Sequence, residues 1–521
     1  MSLARNIATV GSATLLSRLL GFFRDVGIAA ILGAGQLSDA YFAALQIPNL
    51  FRRLLAEGAL NSAFVPMWMR IEDEKGADAA RRYAEEVYGM MLLSLGTFAI
   101  VCWALAPMVV HLLAPGFRSG GERYNWAVDF VRISSPYIAI AGVVAVSASI
   151  LNAKHFVGAA SYGLVIFNCI FLTFVCVVWF HGFGAEVNTG RILTIAIVAA
   201  GLGQLIMVGI AMLRLQSPPV RPRFIPSPNT RRFFALMIPG VIAGGIPQLK
   251  LMAGAMVASS SQAGVSWLYY ANRLYELPLG VVSIAIASVM VPLIASGVRA
   301  GEPAAVAAAQ SRAFEIALGL ALPAAVAFAL LAEPIAGGLF QRGAFGPRDT
   351  AAVAAALAAI CAGLPGHVLE KVLGAVSFAH EDTRTPMYAA LCRLAVATVG
   401  AYVLFPTYGH VGVAAAIAIS GWVGALILGT ILLRRRWLLL DRDARWRLPL
   451  IVVAAAVMGA VIQVAQEFLT AMWNLTGSAP ARVATLLVLV ALGLATYGAI
   501  LHFTKTLSLR ELLGSFSKIQ S

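Results

Sequence analysis

Runs of predominantly apolar residues follow one another along almost the whole chain. Short polar breaks separate them, among them RIEDEKGADAARR (70–82), QSPPVRPRFIPSPNT (216–230) and RRRWLLLDRDARWR (434–447). About 20 apolar residues in a helix, at ~1.5 Å per residue, cross the ~30 Å hydrocarbon layer of a bilayer. The pattern predicts fourteen helical spans: 6–33, 36–69, 85–113, 124–153, 159–181, 191–214, 231–259, 265–298, 308–333, 349–378, 385–405, 410–433, 448–468 and 481–503. The first run follows a basic start at Arg5 but is too long for a secretory signal, and no A-x-A site follows it; it reads as the first span.

Composition agrees. Of 521 residues 60% are hydrophobic and 12% charged, and the mean hydropathy is +0.84. A soluble chain carries about twice that charge, and no single core absorbs so many apolar runs. The expectation is an all-α polytopic membrane protein. Its five cysteines (Cys102, Cys169, Cys176, Cys361 and Cys392) all lie in apolar runs, where they read as small buried hydrophobes rather than disulfides or metal ligands.

Charge tests the span count. With a cytoplasmic N-terminus, 23 of the 38 Lys and Arg residues fall in inward loops, tails and the span ends beside them, 6 in outward loops and the span ends beside them, and 9 deeper within spans. This follows the positive-inside rule and places both termini in the cytoplasm. The net charge of +14 is therefore mostly topological. The basic residues are spread over eight inner segments with no aromatic-basic module, which argues against nucleic-acid binding.

The charges inside the spans need a separate reason, because each costs several kcal/mol in hydrocarbon. The nine cations are Arg18, Arg24, Arg52, Arg53, Arg132, Lys250, Arg273, Lys371 and Arg393. Arg132 and Arg393 lie near span ends and read as snorkelling or structurally paired. Arg18 sits near mid-depth. The second span is unusually long and holds Asp39, Arg52, Arg53 and Glu57, with Pro48 and Pro66 as bends. Arg18 and Asp25 are seven apart, Arg53 and Glu57 four, and Arg273 and Glu276 three, so each pair shares a helix face. Two readings stay open. The charges are an internal ion-pair scaffold, or the arginines, in excess over nearby acids, line a cavity for an anion. Guanidinium groups suit bidentate recognition of phosphate. Trp267, Tyr269, Tyr270 and Tyr275 around Arg273 fit an interfacial aromatic belt on either reading.

No H-E-x-x-H, Walker A or G-x-S-x-G pattern is present, and the His380–Arg384 cluster reads as a cytoplasmic turn. Neither a cofactor nor a metal is expected. A faint repeat, ALNSAFVP (59–66) against AIASVMVP (285–292), crosses the basic linker and suggests two related halves, the common transporter plan.

The segments SRLLGFFRD (17–25), SDAYFAALQIPNLFRRLLAEGALNSAFVP (38–66), SWLYYANRLYELPLGV (266–281), LFQRGAF (339–345) and DTRTP (382–386) resemble the MurJ (MviN) family of lipid II flippases, within the multidrug/oligosaccharidyl-lipid/polysaccharide exporter superfamily. The resemblance implies two six-helix lobes around a central cationic cavity plus two C-terminal helices. In this sequence that gives an N-lobe over 1–215, a cytoplasmic linker over 216–230, a C-lobe over 231–434, a basic loop over 435–447, spans 13 and 14 over 448–503 as a groove for the lipid tail, and a cytoplasmic tail over 504–521. It implies an inner-membrane transporter, not an enzyme. The substrate would be lipid II, the undecaprenyl-diphosphate-linked disaccharide-pentapeptide, carried to the periplasmic leaflet by alternating access. Membrane lipids and cell-wall synthesis proteins are the further expected partners. The substrate-facing arginines fall on Arg18, Arg24, Arg52, Arg53 and Arg273. Gating or coupling positions fall on Asp25, Asp39, Glu57, Lys250, Ser266, Asn272, Glu276 and Lys371. Two positions depart from the family pattern. Asn272 stands where many relatives have Asp, and Lys250 lies in the segment IPQLKLMAGAMVAS (246–259) of the seventh span, which lacks the acid some relatives use for sodium. Lys250 is thus expected to take the place of a bound cation. The alternatives are an exporter of another lipid-linked oligosaccharide, or a membrane enzyme acting on polyprenyl-diphosphate lipids.

Overall fold

The computed structural model describes residues 3–56, 59–215, 221–286, 291–473 and 479–504. Among them every regular element is helical, and two compact units are distinguished. The first holds Met1–Ser266 together with Arg342–Phe345, and the second holds Trp267–Gln341 and Gly346–Ser521.

The first unit contains α1 (Leu3–Leu32), α2 (Gln36–Ala44), α3 (Gln46–Ala56), α4 (Ala59–Lys75), α5 (Ala77–Ala104), α6 (Ala106–Leu113), α7 (Glu122–Ser134), α8 (Pro136–Ala153), α9 (Val157–Phe180), α10 (Val187–Arg214) and α11 (Pro228–Ala258). Helix α12 (Gly264–Ala285) starts at its edge and continues into the second unit. There follow α13 (Val291–Ala300), α14 (Pro303–Leu330), α15 (Ala332–Phe340), α16 (Pro347–Cys361), α17 (Leu364–Ala379), α18 (Arg384–Arg434), α19 (Ala444–Trp473) and α20 (Ala479–Phe503).

Nine helices among the described residues are long and apolar enough to cross a membrane. One of them, α18, has a non-helical break at Gly409 (φ 56°, ψ −138°), so it covers two expected spans. The nine therefore account for ten of the fourteen. The other four expected spans, 6–33, 36–69, 231–259 and 265–298, do not meet that measure as described, and they are the ones that carry Arg18, Arg24, Asp25, Asp39, Arg52, Arg53, Lys250, Arg273 and Glu276.

Within the second expected span α2 ends at Leu45, which caps it, and α3 begins at Gln46; α3 is described to Ala56 and α4 from Ala59. Pro48 sits in the first turn of α3, where a missing N–H costs nothing, while Pro66 is accommodated inside α4. Glu57 and Gly58 lie outside the described residues, as do 287–290 of the second repeat copy and most of the 504–521 tail. The polar break at 70–82 is mostly helix rather than loop. Strong helix formers continue α4 to Lys75, an Arg70–Glu74 pair at 3.0 Å supports its last turn, and Gly76 (φ 83°) makes the corner into α5.

Small residues set the packing distances, as expected where lipid and protein interior are equally apolar. A Cβ on Gly27 of α1 would lie 2.5 Å from Val175 of α9, and one on Gly203 of α10 would lie 2.0 Å from Ile170 of α9. In the second unit Gly363 and Gly366 of the α16–α17 corner meet the backbone of α18, and Gly421 meets the ring of His367. The linker is clasped rather than free: Arg223 donates through its backbone N–H to the Glu85 carbonyl (3.0 Å) and through Nε to the Glu85 carboxylate (2.8 Å). Glu86 accepts from Ser227 N–H (2.9 Å) and Thr230 Oγ1 (2.6 Å) at the start of α11. One expectation about cysteines is corrected. Cys102 and Cys361 are buried, but Cys169, Cys176 and Cys392 are exposed, because α9 and α18 are apolar on faces that no protein covers.

Candidate functional site

Asn168 is the lone amide side chain in the apolar helix α9, which packs along α1. Its side-chain amide donates to Ser17 O and Oγ of α1, each at 3.1 Å, and its Oδ1 accepts from Arg24 Nη1 at 3.3 Å. Arg24 also donates to Asp25 Oδ1 from Nη2 (2.8 Å) and Nε (3.1 Å), and its guanidinium lies over the Phe171 ring at 5.3 Å. Asp25 is wholly buried. Its recorded partner is thus its neighbour Arg24, not Arg18 seven residues earlier. Arg18 is exposed and makes no ion pair among the described residues.

Helix α3 carries Arg52 and Arg53, both partly exposed, while Phe51 and Leu55 join the core. The buried Tyr137 of α8 lies within Coulombic reach of both Arg52 and Arg24, so arginines from α3 and α1 converge on one region of the first unit. Lys250 of α11 is only 8% exposed.

Asp39 organises a second cluster in this unit. It is fully buried in α2. Its Oδ1 accepts from the backbone N–H and the hydroxyl of Ser266, each at 2.9 Å, and its Oδ2 accepts from Arg123 Nη1 at 3.2 Å. Arg123 donates further to the carbonyls of Ser261 (2.9 Å), Ser259 (2.9 Å) and Gly116 (3.3 Å), and stacks over Phe117 with 4.1 Å to the ring centre. One guanidinium thereby joins α2, the loop before α7 and the chain between α11 and α12. A nearby docking of the 342–345 segment fixes the end of α1. Ala344 N–H donates to Ala30 O at 2.8 Å, and Gly343 (φ 58°) passes so close that a Cβ would lie 2.1 Å from that oxygen.

In the second unit Glu276 accepts from Arg273 Nη1 at 3.5 Å and from Asn272 Nδ2 at 3.2 Å, all on α12. Tyr275 Oη is 3.0 Å from His367 Nδ1. Arg393 of α18 is paired with Glu370 of α17 at 2.5 Å, which takes the structural-pairing reading rather than snorkelling. Lys371 is exposed. At the His380–Arg384 turn, burial raises the Asp382 carboxyl, but hydrogen bonds from Thr385 and the charge of Arg435 outweigh it and hold it at about 2, below its ordinary 3.8.

The family model for lipid II flippase MurJ matches residues 28–484. The chain belongs to the MurJ lipid II flippase family. A probable lipid II flippase MurJ of Rhizobium meliloti (strain 1021) is 41% identical over 508 residues, covering 96% of this chain and 94% of the relative. The lipid II flippase MurJ of Burkholderia cenocepacia is 31% identical over 435 residues, covering 82% and 83%. Among solved structures, a lipid II flippase MurJ in an inward closed conformation superposes with TM-score 0.77 at 24% identity, covering 95% of this chain and 99% of that one. An inward-facing multidrug resistance MATE family transporter of the MOP superfamily superposes at TM-score 0.62 and 15% identity, covering 82% of this chain and 98% of that one. This MurJ-family chain is a multi-pass protein of the bacterial inner membrane.

Against the positions implied by the MurJ resemblance, the structure brings Asp39 to Ser266, Arg24 to Asp25, and Arg273 and Asn272 to Glu276. It leaves Arg18 and Lys371 exposed, and Glu57 lies outside the described residues. Sequence reading missed Arg123, Asn168 and Glu370. By sequence Arg123 is one of the six outward-loop cations. Its acidic partner is 84 residues away and its carbonyl partners reach 138, so no spacing rule finds it. Asn168 was legible as a lone amide at mid-span.

Proposed function

We propose that this member of the lipid II flippase family moves lipid II from the cytoplasmic to the periplasmic leaflet by alternating access of two lobes, 1–215 and 231–434. In this reading spans 13 and 14 hold the polyprenyl tail, both termini are cytoplasmic, and the four charged spans complete the fourteen. The diphosphate carries about two negative charges and loses hydration on leaving the interface; fixed guanidinium groups replace that hydration. Arg18, Arg24, Arg52 and Arg53 supply them from one lobe and Arg273 from the other. Asp25, Asp39, Glu57, Ser266, Asn272 and Glu276 hold or compete for those arginines during gating, while Lys250 and Lys371 contribute to coupling.

The observation that best supports this reading is where the charge sits. The four expected spans that are not simply apolar carry the implied site charges, and Arg18 is held by no acid among the described residues. An ion-pair scaffold has no use for an unpaired guanidinium at mid-span. The test is complementation: deplete the native flippase in a bacterial host, supply this protein or its Arg18→Ala or Arg273→Ala variant, verify membrane expression, and assay outer-leaflet lipid II. Rescue by the parent with loss in both variants supports the two-lobe anion grip. Rescue by all three removes it. Rescue by none, with all present in the membrane, favours export of a different lipid-linked oligosaccharide.

A further inference from the structure

A cavity of about 520 Å³ lies in the first unit, between the start of α1, the start of α9 and the end of α10. Thr9, His155 and Tyr162 line it, as do Ile206, Ile210 and Arg214 of α10. Arg214, at the end of α10, and His155, just before α9, mark one end, and Tyr162 lies farther along α9 toward Gly203. Arg214, His155 and Tyr162 are exposed, and among the described residues none of their side chains makes a hydrogen bond or ion pair. Lys154, also exposed, is adjacent. From that end the cavity runs along α10 to Gly203. Eleven residues of helix measure about 16 Å, which is the depth of one leaflet, half of a ~30 Å hydrocarbon layer. Along the way Ile206 is 62% and Ile210 46% exposed, so the wall is open sideways toward lipid.

A basic mouth, partnerless donors and an apolar channel one leaflet deep are the two ends of one kind of molecule. We propose that this cavity holds one anionic glycerophospholipid of the cytoplasmic leaflet, its phosphate at Arg214 and His155 and one acyl chain along Ile206 and Ile210. Basic pockets between helices on the cytoplasmic side suit such headgroups. The leaflet follows from the asymmetry of Lys and Arg among the loops, which puts the end of α10 inside. Thr9 on the wall makes the bound lipid a wedge against α1, the helix that carries Arg18 and Arg24. The site stands apart from those arginines, so it holds whether or not they grip lipid II.

Native mass spectrometry of the full-length protein in mild detergent tests it, with phosphatidylglycerol, phosphatidylcholine and inorganic phosphate as separate probes. The expected result is retained phosphatidylglycerol and little phosphatidylcholine. Arg214→Glu, which reverses the headgroup charge, and Ile210→Trp, which fills the channel, should each cut occupancy about tenfold or more. Arg299→Glu, an exposed basic residue elsewhere, should leave it unchanged. All three sites are exposed, so lipid-free melting temperatures should stay put. Equal retention of phosphatidylcholine, or wild-type occupancy in both cavity variants, overturns the proposal. Displacement of the lipid by inorganic phosphate at the same concentration would mean a free-anion site and overturns the acyl-chain assignment.

Discussion

Replacing Arg123 with Ala should loosen α2 from the 259–266 segment, and the size of the effect follows from the bonds counted at that side chain. Arg123 supplies one donor to the buried carboxylate of Asp39 and donors to three backbone carbonyls. Removing one partner of a buried ion pair costs ~3–5 kcal/mol, because the other charge stays desolvated. Asp39 keeps two donors from Ser266, so the lower end applies, about 3 kcal/mol. That corresponds to a factor of about 100 in the equilibrium between closed and opened α2. Arg123→Lys keeps the charge but not the fork, and should fall between, at about 1–2 kcal/mol. The assay is labelling of a cysteine at Ala40, which is fully buried in α2, with the five native cysteines replaced by Ser and a membrane-impermeant maleimide as reagent. Labelling should be slow with Arg123 present, intermediate with Lys and faster by one to two orders of magnitude with Ala. Equal labelling in all three, at equal expression, would refute the reasoning and leave Arg123 a surface cation that happens to lie near Asp39.

Arg18 and Arg24 should separate transport from stability. Arg18→Ala is expected to leave the melting temperature within the scatter of surface changes, about 0.5 kcal/mol, while abolishing complementation. Arg24→Ala, which removes two charged donors from the buried Asp25, should lower stability by ~3 kcal/mol, visible as reduced folded yield in detergent. Asn272→Asp sets a second carboxylate about where an amide now donates to Glu276, so it should weaken the Arg273–Glu276 contact and slow flipping, and Glu276→Gln in the same chain should restore part of the rate. Asp382 gives a pH signature. Its folded carboxyl is depressed to about 2 from 3.8, so its stabilisation is complete above about pH 4 and is lost as pH falls through about 2. Asp382→Asn should therefore melt lower than the parent at pH 7, and the gap should close near pH 2.

Apolar length alone marked ten spans, because hydrocarbon thickness is a one-dimensional constraint that each segment must meet by itself. Where charge enters, that constraint no longer dictates a straight helix. The 36–69 segment reads as one long span with Pro48 and Pro66 as its bends, yet its described residues break at Leu45, ahead of both prolines. Its polar continuation to Lys75 was read as loop and is helix, because Arg70, Glu72 and Glu74 are good helix formers whatever their hydropathy. Pairing was legible only at short range. Arg273 with Glu276 follows from helix spacing. Arg24 took Asp25 from Arg18 because a long guanidinium can fold back on its neighbour while Asn168 steadies its other nitrogen. Arg123 with Asp39, and Arg393 with Glu370, required the fold.

If Arg18 and Arg24 grip the diphosphate as proposed above, the two arginines of α1 imply a sequence of events in binding. An arriving diphosphate can take Arg18 without displacing any protein acid, so first contact there costs little beyond desolvation. Arg24 is different: its guanidinium already donates twice to Asp25 and once to Asn168. For the anion to gain Arg24 it must share or replace those bonds. The net gain is then a difference between two charge-assisted interactions, each ~1.5–3 kcal/mol, rather than the full strength of one. Such an exchange gives a grip that is specific in geometry yet weak in net free energy. A carrier needs that combination, because an anion held by five fully available arginines would not leave. On the proposed reading, Asp25 is a resident competitor for the substrate. Its replacement by Asn should raise affinity for lipid II while lowering turnover, a split between binding and rate that loss of folding does not produce.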